Sequence, residues 1–348
     1  MKHLTPQWSS MKYLPVLLFS CLLLRASGQS PLAPVHGYRH FQLPFQSSTV
    51  DILVASKKGE EDKKKPLLLF CQGSLPIPLI IKYREKGAEQ LYPVFVFNPD
   101  SLSKDFHLVI IGKPGVPLEA GESSLNKDLA YRDTTGKFPA DYTSRNLLDF
   151  YVSRNIAVLK FLRSQAWVSD KRLVVAGHSE GSTIAAKIAS SYSAVTDLIY
   201  SGGNPLGRIL SVIERNRTAE TDSNKVAEMT FDYWRTVVRD KENMDAANGD
   251  TYKATYDFSI PPVKYLEKLK IPVLVCYGTK DAASPFNDYL RVEMIRQGKA
   301  NFTFKAYIGT EHNFFPVKPN GETDFDTFNW DRVAGVWRVW LESRKRME

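Results

Sequence analysis

The sequence predicts an α/β domain: a mostly parallel sheet with helices on both faces. Two observations lead there. From Pro66 to the end of the chain, short apolar runs of strand length alternate with stretches whose apolar residues recur at helical spacing. Some of those runs, such as Pro66-Leu67-Leu68-Leu69-Phe70-Cys71, are apolar throughout, as a strand covered on both faces requires. A third observation fixes where chemistry would sit. Within Lys171 to Ser191, the run Leu173 to Ala176 passes into a helical pattern from Ser182 onward, with only Gly177-His178-Ser179-Glu180-Gly181 between them. In parallel sheets of this kind, ligands bind at the carboxyl ends of the strands.

At the amino terminus, Lys12 precedes the apolar run Leu14 to Leu24, and Ala26-Ser27-Gly28 supplies small residues for a signal peptidase. Residues 1–28 are therefore expected to be an export leader cleaved after Gly28, which places the chain outside the cell or in a periplasm. A start at Met11 would give a more compact leader. The apolar run is too short to span a bilayer comfortably, so no stable membrane span is expected. Leu18-Phe19-Ser20-Cys21 bears a faint likeness to a bacterial lipoprotein box, with Cys21 as the lipid anchor. The apolar Leu22-Leu23-Leu24 that follows argues against cleavage there.

The chain has 348 residues, 43% of them hydrophobic, enough for a sizeable core. Of the formal charge of +8, the charges of Lys2, Lys12 and Arg25 leave with the leader, which contains no acid, so +5 remains. Without a concentrated basic stripe, that mild excess gives no support for nucleic-acid binding. After the leader only Cys71 and Cys276 remain, both in apolar runs and in no metal-ligand spacing; two buried thiols are expected.

In chain order, Tyr38 to Ser56 is strand-like, and the mixed-charge stretch Lys57 to Lys65 is expected to be a solvated hairpin turn before the Pro66–Cys71 strand. Pro76 to Gln90 is expected to hold a loop and a helix, and Phe106 to Ile111 the next buried strand. Gly112 to Tyr142 has glycines, prolines and aromatics without a period and is read as a long functional loop. Ser144 to Arg163 has helical spacing. After the strand at Asp197 to Tyr200, residues of about 205–262 interrupt the alternation with charge, aromatics and helical fragments such as Val226 to Val238, as an inserted helical lid would. Ile271 to Tyr277 is a strand, with a helix around Asp288 to Gln297; Phe302 to Tyr307 is the last strand. Asn329 to Arg344 is an amphipathic helix with Trp330, Val333, Val336, Trp337 and Leu341 on one face.

A strand that turns into a helix across G-x-S-x-G leaves no room for a side chain at Gly177 or Gly181 and exposes Ser179 at its apex. Serine hydroxyl is a weak nucleophile, so Ser179 needs a base, and the base needs a third group to hold its tautomer. Among His36, His40, His107, His178 and His312, only His312 follows a strand into a loop near the chain's end. His178, beside the serine, is expected to point away from it. Asp281 directly follows a buried strand, whereas Asp288 falls inside the next helix.

The resulting order, Ser179, Asp281, His312, is that of the α/β-hydrolase superfamily. The chain resembles that superfamily from about Pro66 to Arg344, through G-H-S-E-G at the elbow, G-T-K-D-A-A-S-P at the acid turn and G-T-E-H-N-F at the histidine loop. The resemblance implies a serine hydrolase that cleaves a small ester-like substrate through an acyl-enzyme, with no metal or organic cofactor. A peptidase of short peptides or a thioesterase would use the same triad, and a binding protein that has lost its chemistry is a reading from another class. It also implies an oxyanion hole made by the backbone N–H groups of Glu180 and of Ser74, in Gln72-Gly73-Ser74, where the family usually has His-Gly. In the family's strand order, three spacings of about 4.8 Å would separate Cys71 from Cys276, beyond the reach of a disulfide.

Overall fold

The computed structural model describes residues 31–247 and 250–345. The expected leader, with Cys21, lies outside the described residues. No helix among them is long and apolar enough to cross a membrane.

Eight strands form the central sheet: β1 (Arg39–Phe45), β2 (Ser48–Ala55), β3 (Lys65–Cys71), β4 (His107–Ile111), β5 (Val168–His178), β6 (Asp197–Ser201), β7 (Val273–Gly278) and β8 (Phe302–Tyr307). Their spatial order is β1-β2-β4-β3-β5-β6-β7-β8. β1 and β2 form an antiparallel hairpin, β2 runs antiparallel to β4, and every later pairing is parallel. The apolar runs are continuous because both faces are covered. Leu67, Leu69, Val175 and Tyr200 pack on one face with helices α1 (Leu148–Arg163), α2 (Glu180–Ser191) and α5 (Ser284–Arg296). Leu68, Phe70, Val174 and Ile199 pack on the other with α6 (Trp330–Lys345), whose Trp330, Val333 and Trp337 are buried as its spacing predicts. At about 25 cal/mol per Å² of apolar surface, one buried indole such as Trp337 contributes on the order of 4–6 kcal/mol of gross burial energy.

Cys71 and Cys276 are both free and buried. They lie on β3 and β7 with β5 and β6 between, and their side chains join opposite layers of the core. Burial pushes both thiols up to about 12.

Four expectations are corrected. Residues 57–65 are not a hairpin turn, because β4 lies between β2 and β3 and the segment crosses over it. Lys65 is buried there, its ammonium 2.5 Å from Glu60 and 2.9 Å from the Ser103 carbonyl oxygen. Pro76 to Gln90 holds no helix; Ile80–Glu85 and Ala88–Leu91 form an antiparallel hairpin. Lys86 and Gly87 turn it with φ of 49° and 81°, the left-handed pair that tight hairpins use. The long loop from Gly112 contains a strand, Glu119–Gly121, that joins this hairpin in a second, three-stranded sheet, and ends in a short helix, Ala140–Arg145. The α5 helix starts at Ser284, a turn earlier than its apolar pattern suggests, with Pro285 in its first turn.

Residues 205–262 leave the sheet after β6. They carry helices α3 (Arg208–Thr218) and α4 (Val226–Arg239), which pack on each other, and a short helix at Tyr252–Asp257.

Candidate active site

The elbow is a steric consequence of two glycines. A Cβ on Gly177 would lie 2.0 Å from the Gly181 carbonyl oxygen, and one on Gly181 would lie 2.0 Å from that of Cys71. With both absent, β5 runs to His178, α2 begins at Glu180, and Ser179 between them is forced to φ 57°, ψ −126°. A positive φ on a serine is a strained backbone, and here it lifts the side chain off the sheet end. The Ser179 N–H donates to the Ser201 carbonyl oxygen at 2.9 Å, tying the apex to β6.

His312 lies on the loop after β8. Its Nε2 is 2.9 Å from Ser179 Oγ and its Nδ1 is 2.7 Å from Asp281 Oδ2. Two neighbouring contacts keep the acid turn and the histidine loop together. The Lys280 N–H donates to the Thr310 carbonyl oxygen at 2.9 Å, and at Gly278 a Cβ would come within 2.3 Å of that same oxygen. The second Asp281 oxygen accepts the Ala283 N–H at 3.0 Å. Burial opposes the Asp281 charge, but the hydrogen bond and charge of His312, helped by Ala283, outweigh it and hold the carboxyl below its ordinary value. Other carboxylates nearby are engaged elsewhere. Asp288 accepts the Tyr277 hydroxyl at 2.5 Å, and Glu311 caps its own loop through the Asn313 and Phe315 N–H groups at 2.8 and 2.9 Å.

Ser74 and Glu180 line a cavity of about 140 Å³ together with Ser179, Asn204, Arg208 and His312. Gly73 lies against Ser179: a Cβ built on it would be 3.7 Å from that of the serine. The carbonyl of Ser74 accepts the Tyr142 hydroxyl, which anchors the loop after β3.

Two residues have roles that the sequence did not reveal. His178 does turn away from Ser179, but it does not go idle. Its Nδ1 lies 3.2 Å from Ser201 Oγ and its Nε2 3.2 Å from Asn313 Oδ1, so it braces the loop that carries His312. Burial, with the adjacent His312 adding to it, pushes His178 down to about 3, so the ring is neutral. The Glu180 side chain is buried between Lys113, at 3.7 Å, and Arg208, at 3.1 Å. Burial pushes its carboxyl up while the two cations pull the other way. Arg208 also pairs with Asp250 at 3.2 Å, and Asp250 accepts from Asn146 Nδ2 at 2.9 Å, so α3 is tied by charge to the elbow helix. G-x-S-x-G flags the serine but carries no signal for what its variable positions touch.

No protein-family model matches this sequence, and no curated protein sequence matches it. Solved structures do. Est1E from Butyrivibrio proteoclasticus, solved with ferulic acid bound, is 15% identical with a TM-score of 0.54, covering 87% of this chain and 99% of that one. A protein described as a dipeptidyl aminopeptidase IV from Bacteroides ovatus is 11% identical with a TM-score of 0.53, covering 88% of this chain and 35% of that one. Acylaminoacyl peptidase from Pyrococcus horikoshii is 15% identical with a TM-score of 0.49, covering 79% of this chain and 37% of that one. The chain thus spans little more than a third of either peptidase. The strand order, the turn at Ser179 and the first two of these likenesses agree that this chain has the fold of the α/β-hydrolase superfamily.

Proposed function

We propose that the protein is an exported serine hydrolase that cleaves carboxylic esters. The observation that carries this reading is the unbroken pair of hydrogen bonds from Asp281 through His312 to the strained Ser179. Asp281 holds the imidazole with its proton on Nδ1, leaving Nε2 free to take the Ser179 proton as Oγ attacks the ester carbonyl. The oxyanion is stabilised by the backbone N–H groups of Glu180 and Ser74; each such donor is worth about 10²–10³ in turnover. The imidazolium returns its proton to the departing alcohol, leaving an acyl-Ser179. Water, deprotonated by the same Nε2, then releases the acid and restores the serine hydroxyl. One water is consumed and one acid and one alcohol are formed. No step calls on a metal or an organic cofactor. Residues 205–262 serve as the lid, with Arg208, Ser211 and Arg215 of α3 lining the Ser179 cavity. Export rests on the leader at residues 1–28.

A peptidase of short peptides or a thioesterase would share the triad, and the likeness to the Bacteroides ovatus protein keeps the first in view. An ester is favoured because the carboxylate beside Ser179, that of Glu180, is buried and held between two cations, leaving it unfit to grip a peptide's free ammonium. The reading is tested by hydrolysis of p-nitrophenyl acetate and butyrate beside aminoacyl p-nitroanilides. Esters should turn over and Ser179→Ala should abolish it, by at least about 10⁴-fold on the pattern of triad knockouts. A preference for anilides would move the assignment to a peptidase.

A further inference from the structure

Two cavities of opposite character lie near Ser179, one lined by Ser179 itself and the other by its neighbours Gly73 and His178. On the α3 side lies the pocket of about 140 Å³, lined by Ser74, Asn204, Arg208 and Arg215. On the other side a chamber of about 530 Å³ opens above the loop after β3. The second sheet and the segment that follows it build one wall of this chamber, with Ile81, Val94 and Phe95; Phe315 and Phe328, beyond His312, build the other. Its polar lining groups lie beside the triad rather than in it: Gly73 lies against Ser179, His178 precedes it, and Asn313 follows His312. Those polar groups are already engaged. Gln72 donates to the Ile111 carbonyl oxygen at 3.4 Å, and Asn313 meets His178. Val96 and Phe328 line the chamber and are 42% and 56% exposed, leaving apolar surface for an incoming group. A volume of this size, walled mainly by hydrocarbon with Tyr92 and Asn313 among its few polar residues and no charged side chain in its lining, fits the apolar part of a small molecule better than a charged one.

We infer that the ester this protein cleaves is lopsided: one half is a bulky apolar group, larger than a single phenyl ring, seated in the Val94–Phe315 chamber, and the other half is small enough for the polar pocket. This rests on the hydrolase reading and narrows its substrate class. Four probes test it in the full-length protein: phenyl acetate, 2-naphthyl acetate, ethyl 2-naphthoate and 2-naphthyl 2-naphthoate. They present a small ester, a bulky alcohol, a bulky acid and both together. Each is measured in wild type and in two chamber-filling variants, Val94→Trp in the wall and Val96→Trp at the exposed mouth, where an indole is more easily accommodated. One methylene more or less in an apolar pocket changes kcat/KM by about 10–200-fold, so an indole in the chamber should act at least as strongly.

The expected result is that one of the two singly bulky esters loses at least about tenfold in kcat/KM relative to phenyl acetate in a filled variant, while the doubly bulky ester is cleaved at least about tenfold more slowly than the better single one. Unchanged ratios in both variants, with phenyl acetate still hydrolysed, would overturn the chamber as the substrate site. Equal cleavage of the doubly bulky ester would overturn the lopsided fit. No hydrolysis of phenyl acetate, together with no labelling of Ser179 by a fluorophosphonate, would overturn the hydrolase reading itself and the inference with it.

Discussion

The two flanks of Ser179 are held in place by different physics. On the α3 side, charge does the holding: Glu180, buried in the first turn of the elbow helix, is gripped by Lys113 and by Arg208 from residues 205–262. On the chamber side the wall beyond His312 is held through carbon, with Phe315 against Phe325 and Phe328 at 5.3 and 6.2 Å between ring centres. Dispersion is soft and additive, so apolar walls tolerate changes of shape as long as volume is conserved. A buried ion pair is unforgiving, because removing one partner strands the other without water. The chamber side should therefore tolerate changes that retune selectivity, whereas the α3 side should respond to change mainly through stability.

Between the flanks, the triad should respond more strongly than either. Asp281→Asn keeps the shape but favours the wrong imidazole tautomer, costing up to about 10⁴ in turnover of any ester. Asp288→Asn should cost less than about tenfold, since that carboxylate is committed to the Tyr277 hydroxyl and has no part in fixing the imidazole. Steady-state kinetics on one p-nitrophenyl ester, with both variants shown to be folded, makes the comparison. The reverse ranking would move the orienting acid to Asp288.

On the α3 flank, Arg208→Met leaves Glu180 with Lys113 alone and Asp250 without its arginine. That should lower unfolding free energy in urea by about 3 kcal/mol, at the lower end for a broken buried pair. A loss below about 0.5 kcal/mol, the size of an ordinary surface change, would mean that charge does not hold this flank.

The floor of the chamber offers the smallest effect and the one with a sign to check. His178 is neutral in the folded protein because burial pushes it down to about 3, whereas an unfolded histidine titrates near 6.5. Below 6.5 the unfolded chain takes up a proton that the folded one refuses, so stability falls as pH drops and is unaffected by this group above that value. Between pH 6.5 and 5 the loss should be roughly 1.5–2 kcal/mol. His312 and Asp281 lie near the ring, but the lowered Asp281 pKa makes its own stability loss begin only in the acid, near the ordinary carboxylate range. His178→Phe should reduce the slope in the pH 5–6.5 window, leaving the part that comes from His107, which burial also holds below its ordinary value. An identical slope in the variant would assign that proton to another group.

How far these features could be read from sequence follows from where their information lies. Ser179, Asp281 and His312 were legible because each directly follows a strand whose apolar run is plain, and because Gly177 and Gly181 mark the sharp turn. The strands of the central sheet were legible for the same reason. The hairpin at Ile80–Leu91 was missed although Lys86-Gly87 carries its turn signal, because the mixed polar residues around it resemble an exposed helix. The charged run from Lys57 hid a buried Lys65, since sequence alone does not show that β4 comes between β2 and β3. The chamber was not legible at all. Its walls come from residues near 77–96 and near 315–330, which only the folded sheet brings together. Glu180 and His178 fill the variable positions of G-x-S-x-G, and only their neighbours in space give them a task.

The central claim is that Ser179 is an activated nucleophile, and covalent capture tests it most directly. The protein, treated with a fluorophosphonate and digested for mass spectrometry, should carry one adduct, on the peptide that contains Gly177-His178-Ser179-Glu180-Gly181. Ser179→Ala should carry none, and His312→Ala should label far more slowly because the hydroxyl has lost its base. An untouched Ser179 in folded protein, or an adduct that persists in Ser179→Ala, would contradict the account.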